Sequence, residues 1–154
     1  DVGMNIPLMG FLGGGAIIEP DYEQVPLDGL EQVWVPFEVP DDLIAFEVRG
    51  SSMLPQFRDG TIIIVYREQR RALESFYGEE AAVLTEDGRR FIKTIMRGSE
   101  DGSLVTLTSW NAEPIERVRL TWIGELFSVF PRATLRRVAK QGGIQGRLHM
   151  KAGE

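Results

Sequence analysis

Two serines, Ser51 and Ser52, stand in the segment Glu47-Val-Arg-Gly-Ser-Ser-Met-Leu-Pro55, directly after an apolar run and a glycine. A serine on a sharp turn exposes its hydroxyl and lets nearby backbone N–H groups converge on one point, as a tetrahedral oxyanion requires. Gly and Ser also mark ordinary turns, so this segment taken alone reads first as a turn. A serine nucleophile needs a base. The chain holds one histidine, His149, close to the C-terminus, and no cysteine, so a Ser-His-Asp arrangement has no obvious base. Lys93 offers another. Across residues 90–96 a period of two puts Phe91, Lys93 and Ile95 on one face and Ile92, Thr94 and Met96 on the other. An ammonium between Phe and Ile is disfavoured. Desolvation can lower a lysine pKa from about 10.4 by several units, leaving a neutral amine that takes the proton of a serine hydroxyl. The competing reading is a half-buried strand lysine that snorkels to water.

The elements that must position this pair are short. Apolar runs recur between Gly, Pro and Asp, the punctuation of an antiparallel β protein. The expected strands are Ile6–Leu12, Val33–Val35, Leu43–Val48, Thr61–Tyr66, Glu80–Thr85, Arg90–Met96, Leu104–Thr108, Arg117–Leu120 and Trp122–Phe130. Asp59-Gly60 and Asp87-Gly88 are turn dipeptides, the second placed as in a hairpin. Ile62-Ile63-Ile64-Val65 is continuously apolar and reads as a strand buried on both faces. Leu73, Phe76 and Tyr77 are spaced for one short helix. After Pro131, Leu135, Val138 and Ala139 form one further amphipathic possibility flanked by basic residues, and fraying is expected beyond Gly142-Gly143.

With 154 residues, 43% apolar and 26% charged, the chain fits one globular domain with a proper core. The absence of cysteine excludes disulfides and thiolate metal sites, and a lone histidine makes a zinc site a poor reading, so neither metal nor cofactor is expected. No apolar run approaches the roughly 18–20 residues that span a bilayer, and the start DVGMNIPLMG is not a signal peptide. The charge is uneven. Residues 1–131 carry eleven Lys/Arg against twenty-two acids, while residues 132–154 carry six against one. An acidic body argues against a nucleic-acid groove on it. The basic tail could meet phosphate, although such a run is more often a solvated end.

The order of these features resembles the C-terminal domain of LexA and the phage CI-type repressors, whose fold UmuD shares. Gly50-Ser51-Ser52-Met53 stands for the family's Gly-x-Ser-Met, followed by the Asp59-Gly60 turn into an apolar strand and by the strand lysine of Phe91-Ile92-Lys93. Ser109-Trp110-Asn111 with Pro114, and then Trp122-Ile123-Gly124 running to Phe130, match the later motifs. The likeness covers roughly residues 7–131. It implies a mainly β, strongly bent antiparallel pseudo-barrel with at most one or two short helices, which pairs with a twin. It also implies Ser52 as nucleophile, because the reactive serine directly precedes Met, and Lys93 as general base. The backbone N–H groups of Ser51 and Ser52 would be the oxyanion donors, and Ser51 is the rival nucleophile.

In self-cleaving members of that family the substrate is the protein's own N-terminal segment, usually at an Ala-Gly bond. Aligning Pro7-Leu8 and Gly10 puts the bond at Gly14-Gly15, with Gly14 in place of the usual alanine. The resemblance therefore implies a cytoplasmic repressor fragment. Residues 1–131 would form the peptidase and dimerisation domain and residues 132–154 a basic extension. A helix-turn-helix DNA-binding domain would precede Asp1, and a RecA-like co-protease filament would be a partner. The alternative is a non-cleaving dimerisation and sensing module that keeps the serine and lysine. A signal peptidase is disfavoured by the missing membrane segment, and a UmuD-like polymerase accessory role by any preceding helix-turn-helix.

Overall fold

A computed structural model describes residues 3–13, 31–39, 42–51, 54–132 and 134–138. Ser52, Gly14, Gly15 and His149 lie outside these described residues, as do Met53 and all positions beyond 138.

The described chain is mainly β. Its strands are β1 (Met4–Gly13), β2 (Glu31–Val35), β3 (Leu43–Arg49), β4 (Ile62–Tyr66), β5 (Glu80–Thr85), β6 (Arg90–Arg97), β7 (Val105–Ser109), β8 (Ala112–Val118), β9 (Leu120–Gly124), β10 (Leu126–Phe130) and β11 (Arg136–Val138). One 3-10 turn, Leu73–Phe76, occupies the place where the spacing predicts a short helix. The main path of the sheet runs β10-β4-β3-β1-β6-β5-β9 and does not close into a barrel. Beside that path β2 pairs with β1, β11 with β2, β7 with β6 and β8 with β7.

The pairing is antiparallel with one exception that governs the site. The strand β1 runs parallel to both of its flanking neighbours on the path, β3 and β6, and antiparallel to β2. Its last residue, Gly13, pairs with Arg49 of β3 and Phe91 of β6. A glance at sequence alone does not reveal this, because parallel pairing is set by what lies between strands rather than by the strands' own pattern.

Alternation distributes the apolar side chains among three clusters. In β4, Ile63 and Val65 enter one cluster with Met9, Leu12, Phe46 and Ile92, while Ile62 and Ile64 enter another with Ile6, Leu8 and Val33. The continuously apolar run is thus buried on both faces, as its composition predicts. A third cluster gathers Phe76, Ala81, Val83, Phe91, Ile95, Val105 and Leu107. Both turn dipeptides form: Gly88 closes the β5–β6 hairpin with its N–H on Thr85 O, and Thr61 N–H reaches Arg58 O around Asp59-Gly60.

Two expected strands are divided. The run Trp122–Phe130 breaks at Glu125, so β9 pairs with β5 while β10 crosses over to pair with β4. At the crossing a side chain has no room: a Cβ on Gly124 would lie 2.3 Å from the Trp122 ring and 2.9 Å from Val65. The run Arg117–Leu120 breaks at Arg119: Arg117, with φ 59, and Val118 end β8, and Leu120 begins β9. Residues 136–138, read from the sequence as the start of an amphipathic extension, form β11. Arg137 there donates to Glu47 at 2.6 Å and to Glu31 at 3.5 Å, and Arg136 lies over the Trp34 ring.

Candidate active site

The strand β6 carries the base candidate. Phe91 and Ile95 drop into the third cluster and Ile92 into the first, which forces Lys93 onto the inner side of the strand. The residue opposite it on β5 is Ala81, small enough to leave space for a lysine stem. Lys93 is 1% exposed. Its Nζ donates to Ser109 Oγ at 2.9 Å and lies 5.4 Å from the centre of the Phe91 ring. Burial disfavours the ammonium and pulls the pKa from 10.5 down to about 8. The snorkelling alternative does not hold, since the head group is as buried as the stem.

The segment that carries the serines is the β3–β4 connection. Its base is closed by Val48 N–H on Thr61 O (2.8 Å) and Gly60 N–H on Val48 O (2.7 Å). Gly50 turns the chain with φ 98, a conformation that L side chains rarely adopt, and its N–H donates to Asp59 Oδ1 at 2.9 Å. Ser51 is exposed, and its carbonyl accepts from Leu54 N–H at 3.1 Å and from Asn111 Nδ2 at 2.9 Å. Further along, Gln56 Oε1 accepts from Trp110 Nε1 at 2.9 Å, while Gln56 Nε2 donates to Glu80 Oε1 at 2.8 Å.

Between this turn and the ends of β5, β6 and β7 lies a cleft of about 470 Å³ lined by Gln56, Glu80, Thr94, Thr108, Ser109 and Trp110. Trp110 stands at its lip, 73% exposed. Among the described residues no group of three His, Cys, Asp or Glu is placed to hold a metal, and no helix is long and apolar enough to cross a membrane.

A family model described as Peptidase S24-like matches residues 7–127. The chain belongs to the Peptidase S24-like family. That match runs from within β1 to within β10, so the candidate site lies within the S24-like region and β11 lies beyond it. No curated relative matches the sequence.

Of the residues singled out in the sequence, this S24-like domain brings Lys93, Ser51 and the Ser109-Trp110-Asn111 stretch into one locality. Ser52 and the Gly14-Gly15 bond lie outside the described residues, although the described chain runs up to each of them: Ser51 on one side, Gly13 on the other. Gln56 and Glu80 carry no motif of their own, and Asp59 is marked in the sequence only as part of a turn dipeptide. Their position beside a serine-bearing turn is visible once the strands are paired.

Proposed function

We propose that this S24-like domain is a serine endopeptidase that cuts its own chain at Gly14-Gly15, with Ser52 as nucleophile and Lys93 as general base. The observation that carries this reading is the place of β1. It lies between β3 and β6 and parallel to both, and its last residue, Gly13, pairs with Arg49 at the end of β3 and with Phe91 near the start of β6. There β3 leads into the serine turn, β6 presents Lys93 two residues beyond Phe91, and β1 leads from Gly13 into the bond. Neighbouring strands lie about 4.8 Å apart, so Gly13, which directly precedes the bond in sequence, lies one strand spacing from Arg49 and from Phe91.

The chemistry follows from the burial of Lys93. The neutral amine accepts the Ser52 proton as oxygen attacks the Gly14 carbonyl, and returns it to the leaving Gly15 amine. Backbone N–H groups of Ser51 and Ser52 are the proposed donors to the oxyanion. Small residues on both sides of the bond allow the backbone to approach closely.

The biological role we attach to this is the regulatory half of a cytoplasmic repressor. The domain would form a two-fold dimer and hold a preceding DNA-binding domain in pairs on a palindromic operator, with a RecA-like filament as the trigger. An edge strand supports pairing: among the described residues β10 pairs with β4 alone, and it exposes Val129. Light scattering at high micromolar concentration should give twice the chain mass, and a monomer there would remove the dimer. For the peptidase reading, Ser52→Ala and Lys93→Ala should each abolish self-cleavage while Ser51→Ala keeps most of it. Cleavage that persists in Ser52→Ala would assign the nucleophile elsewhere.

A further inference from the structure

The tight turn between β7 and β8, closed by the pairing of Ser109 with Ala112, holds three consecutive residues whose side chains hydrogen-bond toward the serine turn and Lys93. Ser109 Oγ takes the Lys93 amine at 2.9 Å, Trp110 Nε1 holds Gln56 at 2.9 Å, and Asn111 Nδ2 holds the Ser51 carbonyl at 2.9 Å. Three consecutive residues thus bind the base, the far limb of the serine turn and its near limb. None of the three belongs to an apolar cluster.

We propose that Ser109-Trp110-Asn111 is a positioning clamp that fixes the base and the oxyanion donor relative to each other. The inference rests on the peptidase reading above and deepens it. A lysine amine on a four-carbon stem has many orientations, and one fixed acceptor at the end of β7 selects among them. The carbonyl of Ser51 and the N–H that follows it belong to one planar peptide unit. A donor that holds the carbonyl oxygen therefore restrains where that N–H points, and that N–H is one of the two proposed oxyanion donors. Trp110 completes the arrangement through Gln56, whose other end is tied to Glu80 on β5. Ser109 and Asn111 act through other groups and are positioning residues.

Few other charges compete for Lys93 among the described residues. On the elements packed against β6, β5 contributes Glu80, engaged by Gln56, and the 3-10 turn contributes Glu74, which lies against Gly102; β7 contributes none. On β6 itself the other charged residues are Arg90 and Arg97, the latter hydrogen-bonded to the Ser99 and Glu100 carbonyls.

The test is self-cleavage of the whole chain followed by mass spectrometry from about pH 6 to 10, where a lysine base titrates, with melting curves recorded alongside. Asn111→Ala should slow cleavage about 10- to 100-fold at every pH without moving the midpoint, the size expected for a misplaced reacting group. Ser109→Ala should slow it on the same scale and shift the midpoint to lower pH, because the ammonium loses an acceptor. Ser109→Thr, which keeps the hydroxyl, should restore most of the rate. Variants that cut at the wild-type rate with the wild-type midpoint overturn the clamp, as does a loss of rate that only follows a loss of melting temperature. A wild-type chain that is not cut at any pH, with or without an activated filament, overturns the peptidase reading itself and the clamp with it.

Discussion

The strand β1 and the β7–β8 turn approach the same site by opposite physical means. β1 lies inside the sheet with Ile6, Leu8, Met9 and Leu12 buried, and its backbone is paired to β2, β3 and β6. The β7–β8 turn lies at the surface, with Trp110, Asn111 and Ala112 exposed, and touches the site through single side-chain hydrogen bonds. The first is held by area removed from water, the second by directed donors and acceptors. Burial is strong and indifferent to angle; a hydrogen bond is weak in net terms and sensitive to it. The contrast teaches where each is used. The strand β1, which leads to the proposed bond, is placed by burial, whereas Lys93 and the Ser51 carbonyl are held by hydrogen bonds with the β7–β8 turn.

Substitutions should separate the two regions. The largest loss of stability is expected in β1: Leu12→Ala removes a fully buried side chain and should cost about 2–5 kcal/mol, read from urea unfolding. In the turn, Asn111→Ala should cost only about 1 kcal/mol of stability while its effect on cleavage is large. A stability loss there as great as that of Leu12→Ala would erase the distinction.

Burial of β1 has a consequence for the products. A cut at Gly14-Gly15 leaves residues 4–13 paired with their neighbours on both sides, so the two pieces should elute together on size exclusion and part only in denaturant. Spontaneous separation in buffer would show that β1 is held less firmly than its pairing implies.

Lys93 is the point where the two regions meet, and its pKa makes a stability prediction as well as a catalytic one. The folded value is about 8 and the ordinary value 10.5, so the unfolded chain binds more protons between these two pH values. Folding stability should therefore rise with pH across that window, and at pH 7 the full cost of burying the charge, about 3 kcal/mol, is present. Lys93→Met should stabilise the fold by up to about that amount at pH 7 and by much less near pH 10.5. Equal effects at both pH values would contradict a desolvated lysine. The smallest effect is expected at β11, where Arg137→Ala removes half-exposed ion pairs and should cost no more than about 1 kcal/mol.

The burial of Lys93 and the turn at Gly50 were legible in the sequence because chemistry leaves local marks. A lysine between Phe91 and Ile95 announces its own burial, and a glycine followed by two serines announces a turn. Both turn dipeptides, the doubly buried β4 and the place of the one short helix were legible for the same reason. What was not legible depends on distant contacts. The break at Glu125 follows a glycine that has no room for a side chain against Trp122 and Val65, a contact that no period of two reveals. The parallel insertion of β1 depends on which strands flank it. Gln56 and Glu80 are ordinary polar residues until pairing brings them to the serine turn, and the bond from Gly50 to Asp59 does not follow from reading Asp59-Gly60 as a turn. Their hydrogen bonds span 9 residues for Gly50–Asp59 and 24 for Gln56–Glu80.

The central claim is that the strand running into the site is the substrate. Gly14→Ala should speed the cut about two- to fivefold through reduced loop entropy, provided the backbone there accepts alanine, and slow it if a positive φ is required. The direct measurement is the mass of the fragments released on prolonged incubation of the wild-type chain. The account predicts a piece beginning at Gly15, formed at a rate that climbs through about pH 8 and levels above it. An intact chain at every pH, or a cut at another bond, would contradict it and leave a dimerising module that carries Ser52 and Lys93 unused.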